Sequence, residues 1–247
     1  MPRFFCDAIA GGKAVITGED AAHIARSLRM QPGERLTLSD GQGTDFDCVL
    51  DLVTPQEVFL TVLESYPCRT EPSVYVRLYM AMPKAEKLEL IVQKAVELGV
   101  HEVIPVATRR AVVKLDRKKE ESKLKRWNAI AESAAKQSGR MMIPQVHGVL
   151  TMKEAFAYAK GFDVNLIPYE LAEGMKETKA ILEQVKPGMR VGIFIGPEGG
   201  FEEQEIGQAR NAGAVPVTLG RRILRTETAG ITTLSILMYH LECAEVQ

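Results

Sequence analysis

The order of apolar and polar residues along this chain changes character near position 70. Before it, short runs with strand-like alternation are separated by turn residues. Arg3–Ile9 and Ala14–Ile16 flank the turn signal Gly11-Gly12. Leu36–Leu38 and Phe46–Val53 flank Asp40-Gly41-Gln42-Gly43, and Val58–Leu63 follows. In Phe46, Cys48, Leu50 and Leu52 every second residue is apolar, the period of a strand buried on one face. Glu19–Met30 carries Ala22, Ile24, Ala25 and Leu28 near helical spacing and stops at Pro32-Gly33. The pattern predicts a small β-barrel with one helix over residues 1–70, and Cys68-Arg-Thr-Glu-Pro72 reads as a linker.

From 73 to 247 apolar runs alternate with helical stripes. Val74–Met82, interrupted by Arg77, precedes a helix over Lys84–Leu98, whose stripe Leu88, Ile91, Val92, Ala95 and Leu98 ends at Gly99. Val103–Val106 precedes a basic helix, Lys118–Ser138; a strand near Val146 and a helix over Met152–Lys160 follow. Val164–Ile167, Val191–Ile195 and Val215–Leu219 are strands, each followed by a helix. Apolar strands alternating with helices form a parallel sheet covered on both faces, so this part is an α/β domain. The last helix, Ala229–Ala244, is apolar on more than one side and must be buried in this fold or against a second subunit.

Hydrophobic residues make up 46% and charged residues 26%, which suits a globular chain and excludes a disordered one. No run of about 18 uncharged apolar residues predicts a membrane span. The opening Met1-Pro-Arg-Phe-Phe-Cys-Asp has an early acid and no apolar stretch with a cleavage site, unlike a signal peptide. Cys6, Cys48, Cys68 and Cys243 are scattered, with no CxxC pair and no histidine at ligand spacing. That argues against a metal and for reduced thiols in the cytoplasm. His23, His101, His147 and His240 show no partner pattern and are assigned no catalytic role. The net charge of −1 hides an asymmetry: residues 1–72 hold 6 basic and 11 acidic side chains, and residues 73–247 hold 25 and 21. Residues 109–140 alone hold 11 basic against 4 acidic groups, either a nucleic-acid footprint or a solvated lysine-rich face.

Three loops at late strand ends carry the candidate chemistry. The first is Ile195-Gly196-Pro197-Glu198-Gly199-Gly200-Phe201, where glycines let a ligand approach the backbone. Glu198 sits where α/β folds bind ligands, at a strand's C-terminal end. The second is Leu219-Gly220-Arg221-Arg222-Ile223-Leu224-Arg225-Thr226-Glu227-Thr228-Ala229. Thr226 suits a helix cap and Glu227 a first turn, but three arginines within five residues suit a phosphate or an anionic base. The third is Leu166-Ile167-Pro168-Tyr169-Glu170. The first α/β strand leads into Met82-Pro83-Lys84-Ala85 without glycine, which disfavours a nicotinamide, flavin or ordinary Rossmann methyltransferase site. No Walker loop, GxSxG elbow or metal-ligand cluster is present in the sequence.

IGPEGGF followed by LGRRILRTETAGI resembles the paired C-terminal motifs of the SPOUT methyltransferases, and among them the RsmE family. Further matches are Phe4-Phe5 after Arg3, His23–Arg29, Lys94–Gly99, Arg109–Val113 and Ala131–Arg140, so the resemblance spans nearly the whole chain. It implies a PUA-like, RNA-binding barrel, a SPOUT domain with a deep trefoil knot, and a homodimer. It also implies transfer of a methyl group from S-adenosyl-L-methionine to N3 of a uridine in 16S rRNA, presented within the assembled small subunit.

By the same resemblance, Tyr169 and Glu170, the run Ile195, Gly196, Pro197, Glu198, Gly199 and Gly200, the pair Leu219 and Gly220, and Ile223, Leu224, Arg225, Thr226, Thr228 and Ala229 hold the cofactor. Arg225 is the candidate for stabilising the uridinate, and Glu198 the candidate proton acceptor or electrostatic partner of the sulfonium. Arg109, Arg110 and Arg140, with Arg3, Arg26 and Arg29 in the barrel, are candidates for gripping RNA phosphates. Another SPOUT reaction, on a ribose 2′-O or a guanine, or a non-catalytic RNA-binding assembly factor, remains open at this point.

Overall fold

The alternating strands of the N-terminal part pair into a single sheet of six in a computed structural model, which describes residues 1–84, 87–110, 117–172 and 174–245. Its strands are β1 (Arg3–Phe5), β2 (Ile9–Ala10), β3 (Lys13–Thr17), β4 (Arg35–Ser39), β5 (Thr44–Val53) and β6 (Glu57–Pro67). They lie in the order β1-β4-β5-β6-β3-β2, antiparallel except for β1 beside β4. Between β3 and β4, helix α1 (Gly18–Ala22) continues into a π-helical turn, His23–Leu28, closed by Arg29 in the left-handed region at φ 53°. Phe4, Ile16, Ile24, Leu36, Leu38, Leu50 and Leu60 form the core. The alternation along β5 holds through Cys48 and Leu50, then breaks at a register shift. Leu52 consequently turns outward, half exposed, and Val53 packs on the core instead.

The chain divides into two units, Met1–Glu71 with Ala135–Ile143, and Pro72–Ala134 with Pro144–Gln247. Residues 135–143, expected in the second domain, therefore fold with the first. Arg140 explains why. Its guanidinium donates to Glu71 at 2.8 and 2.6 Å, and its carbonyl accepts from Arg3 at 3.2 Å.

In the second unit β7 (Tyr75–Ala81), β8 (Glu102–Ala107), β9 (Gln145–Val146), β10 (Leu150–Thr151), β11 (Val164–Pro168), β12 (Arg190–Ile195) and β13 (Ala214–Val217) form a wholly parallel sheet. Its order is β10-β8-β7-β12-β11-β13, with β9 also on β8. The helices are α2 (Lys87–Glu97), α3 (Arg117–Ser138, whose last turn from Ala135 belongs to the first unit), α4 (Met152–Tyr158), α5 (Met175–Leu182), α6 (Glu203–Asn211) and α7 (Thr226–Glu245). The apolar stripe of α2 is buried as its spacing requires, at Leu88, Ile91, Val92 and Ala95. Ala85 of the expected α2 and Ala111–Val113 of the matched motif lie outside the described residues.

Arg77, the charge interrupting β7, lies opposite Glu102 of β8 and donates to it at 2.8 Å. Tyr75 and Tyr158 also donate to Glu102, and the ring of Tyr158 lies 3.8 Å from the Arg77 guanidinium. Burial pushes the Glu102 carboxyl up, but His147, Arg77 and Tyr75 outweigh it and hold the group far below the usual range. A buried charge is tolerated here because it is paired and hydrogen-bonded. All four cysteines are free thiols. Among the described residues no helix is long and apolar enough to cross a membrane.

Candidate functional site

Sheet order brings the three candidate loops together. Strands β12, β11 and β13 are consecutive neighbours, so Ile195, Pro168 and Val217 end side by side at one edge. The loops leaving them line one cleft: Pro168, Tyr169 and Glu170 after β11; Ile195–Glu198, Gly200 and Phe201 after β12; Thr218–Leu224, Thr226 and Ala229 after β13. The order in which strands are added reverses between β7 and β12, the kind of switch point where open α/β sheets hold ligands.

Local chemistry fixes each loop. Gly200 sits at φ +69°, and its amide donates to the Pro197 carbonyl at 2.9 Å. A side chain at Gly196 would come within 3.1 Å of the Phe201 ring, which would have to shift to admit it, so close approach favours glycine. Gly220 turns at φ +106°, with its amide 3.3 Å from the Thr218 hydroxyl. Thr226 was expected to cap α7 from outside; it is instead the helix's first residue, and its hydroxyl donates to the Gly196 carbonyl. The Arg225 carbonyl accepts the first helical bond, from Ala229 at 2.8 Å.

Glu198 is tied to the far side of the glycine loop. Its carboxylate accepts from the Lys84 amide at 3.0 Å and the Lys87 ammonium at 3.5 Å, and Lys87 also donates to Glu227 at 3.2 Å. Burial pushes the Glu198 carboxyl up, but the Lys84 amide, its own amide and Lys87 outweigh burial and hold it below the ordinary range. A carboxylate so stabilised is a weak base. Here it ties the glycine loop to the exit of β7.

A second stitch was not foreseen. Glu205 is buried; one oxygen accepts from the Glu202 amide at 2.9 Å and the other from the Arg109 amide at 3.1 Å. The Arg110 guanidinium donates to the Gly199 carbonyl at 2.6 Å, and Arg109 to Gln204 at 2.7 Å. The Glu202-x-x-Glu205 spacing at a helix start was the readable signal, since a residue at the third helical position often reaches back to the cap.

A family model described as an RNA methyltransferase domain matches residues 70–238, and another, described as an RNA methyltransferase PUA domain, matches 16–63. The chain is 36% identical, over 92% of its length and 90% of the relative's, to the ribosomal RNA small subunit methyltransferase E of Bacillus subtilis (strain 168). It belongs to that methyltransferase family. The fold agrees throughout. The Neisseria gonorrhoeae member, solved bound to S-adenosyl methionine, superposes with a TM-score of 0.82 at 30% identity, covering 97% of each chain. A crystal structure of a protein described as hypothetical superposes with a TM-score of 0.91 at 34% identity, covering 98% of this chain and 99% of that one.

Within this family member, the expected cofactor residues Gly199, Arg225 and Thr228 stand outside the cleft wall, and the others line it. Two of the expected phosphate grips are corrected. Arg3 is half-buried and paired with Asp45, donating at 2.7 Å, and the Arg140 side chain is 2% exposed against Glu71. Burial with a carboxylate leaves no face for RNA. Arg109 and Arg110 are exposed but engaged with the 199–204 backbone and side chains, whereas Arg26 and Arg29 stand exposed in the first unit.

Proposed function

We propose that this chain transfers the methyl group of S-adenosyl-L-methionine to N3 of a uridine in 16S rRNA, acting on the assembled small subunit. The single observation that carries the reading is the cleft, in which all three loops of the family's motifs converge on one sheet edge. The lining fits the cofactor. Ile195, Phe201, Leu219 and Leu224 offer apolar walls for a ring and a thioether, and the backbone at Gly196, Gly200 and Gly220 offers unhindered polar groups. Glu170 and Glu198 place negative charge beside a site for a sulfonium. When bound, S-adenosylmethionine supplies a methyl group already activated by its positive sulfur. The protein's own work is to hold it, admit an unstacked base and stabilise the charge on uracil as its N3 proton leaves.

Arg225, exposed just before α7, with a side chain that makes no hydrogen bond or ion pair among the described residues, is the residue we assign to that developing charge. Arg26 and Arg29 serve the PUA-like unit as RNA contacts. The chain acts in the cytoplasm as a homodimer whose sheet-and-loop region is a trefoil knot. Dimer formation is supported by an apolar groove of about 600 Å³ between α5 and α7, lined by Met175, Leu182, Ile236 and Tyr239.

The test is transfer of labelled methyl to small subunits lacking the modification, with the product nucleoside identified by mass spectrometry. N3-methyluridine is the expected product; another methylated nucleoside, or none, overturns the reading. Arg225→Ala should lower kcat on these subunits by about a hundredfold, the scale of one lost charge-stabilising donor.

A further inference from the structure

The arginines singled out in the sequence fall into two classes. Arg109 and Arg110 are bound to Glu202, Gln204 and the Gly199 carbonyl, and Arg3 and Arg140 are paired with carboxylates. Arg221 and Arg222 differ in every respect. They are exposed, they line the cleft, and among the described residues neither has a hydrogen bond or an ion pair. Of the two acids on the same wall, Glu198 is already held by Lys84 and Lys87, and Glu170 lies against Gly200. Glu227 offsets the charge of the neighbouring Arg225, whereas among the described residues no carboxylate forms an ion pair with Arg221 or Arg222, and adjacent cations repel one another.

We propose that Arg221 and Arg222 hold phosphodiester groups flanking the target nucleotide, so that the substrate RNA crosses the mouth of the cleft over the 220–225 turn. The inference rests on reading the cleft as the methylation site. A guanidinium offers a planar fork of donors that matches phosphate oxygens in pairs, which a lysine does not. The turn that carries the two side chains is set in advance by Gly220 at φ +106° and by the Thr218 hydroxyl on the Gly220 amide. Less conformational freedom is therefore lost when RNA binds. The pair also belongs to the same short loop as Leu224 and Thr226 of the cleft wall, so a phosphate gripped there keeps its own base within reach of the cofactor. The only competing anion of like chemistry is the carboxylate of the cofactor itself.

The test uses the full chain with Arg221→Ala, Arg222→Ala, the double variant and Arg222→Lys. Small-subunit binding is measured across a series of salt concentrations, and S-adenosylmethionine affinity by calorimetry. Each alanine should weaken subunit binding about tenfold and reduce the slope of log affinity against log salt by about 1, leaving cofactor affinity in place. Arg222→Lys should keep the slope and lose part of the affinity. Weakened cofactor binding with unchanged subunit binding would assign the arginines to the cofactor carboxylate and overturn the proposal, as would no change in either. Failure of the wild-type chain to methylate any subunit would sink the methylation reading alone, because subunit binding is read separately.

Discussion

Two arginine-rich segments leave the same parallel sheet, one after β8 at Arg109-Arg110 and one after β13 at Arg221–Arg225. Both look alike as charge. The first faces the start of α6, where Glu202, Gln204 and Glu205 meet its side chains and backbone, so its cations are used to join two loops. In the second, Arg221 and Arg222 line the cleft and form no ion pair among the described residues. What separates a structural arginine from a ligand-binding one is the acid across from it, and that acid is brought by topology.

The comparison breaks most sharply at Glu205. Replacing it with alanine strands the Glu202 and Arg109 amides, two part-buried donors, and should cost about 1–2 kcal/mol of stability in denaturant unfolding. Cofactor affinity should fall with it, since the 199–202 backbone loosens. If Glu205→Ala unfolds at the wild-type midpoint, the first segment is not a stitch. Arg110→Ala should have a smaller effect, a few-fold loss of cofactor affinity measured by calorimetry with small-subunit KM unmoved. A rise in subunit KM instead would move Arg110 into the class of Arg221 and Arg222. The smallest effect concerns pH. Glu198 has its folded pKa lowered, so its contribution is complete above the ordinary carboxylate pKa and is lost only as pH falls through the depressed value. Cofactor affinity, followed by titration calorimetry, should stay flat through the ordinary carboxylate range and decline below it. Glu198→Gln should be weaker throughout and lack that acid limb.

Much of this was legible in the chain. The period of two in β5, the stripe of α2 and the apolar runs of β11, β12 and β13 each report a local environment, so their elements can be read residue by residue. Glycines 196, 200 and 220 announced the cleft because their backbone needs are local too. Illegible were the facts set by distant partners. Arg3 meets Asp45 across 42 positions and Arg140 meets Glu71 across 69, so neither could be known as paired from its own neighbours. The hold of the Lys84 amide on Glu198 likewise spans 114 positions. The bulge that turns Leu52 outward likewise depends on pairing with β6.

The floor of the cleft has a further consequence, for the time course of folding. Strands β4, β5 and β6 are joined by short turns, so their pairing closes small loops. Strand β7 pairs with β12, bringing Tyr75 beside Arg190 from more than a hundred residues away. Such a closure must be made before its contacts reward it, and sequences dominated by distant pairings fold slowly. The three loops depend on β12 being seated between β7 and β11. Binding capacity is thus acquired late in folding, after the N-terminal hairpins, and the half-made sheet is the species most exposed to aggregation.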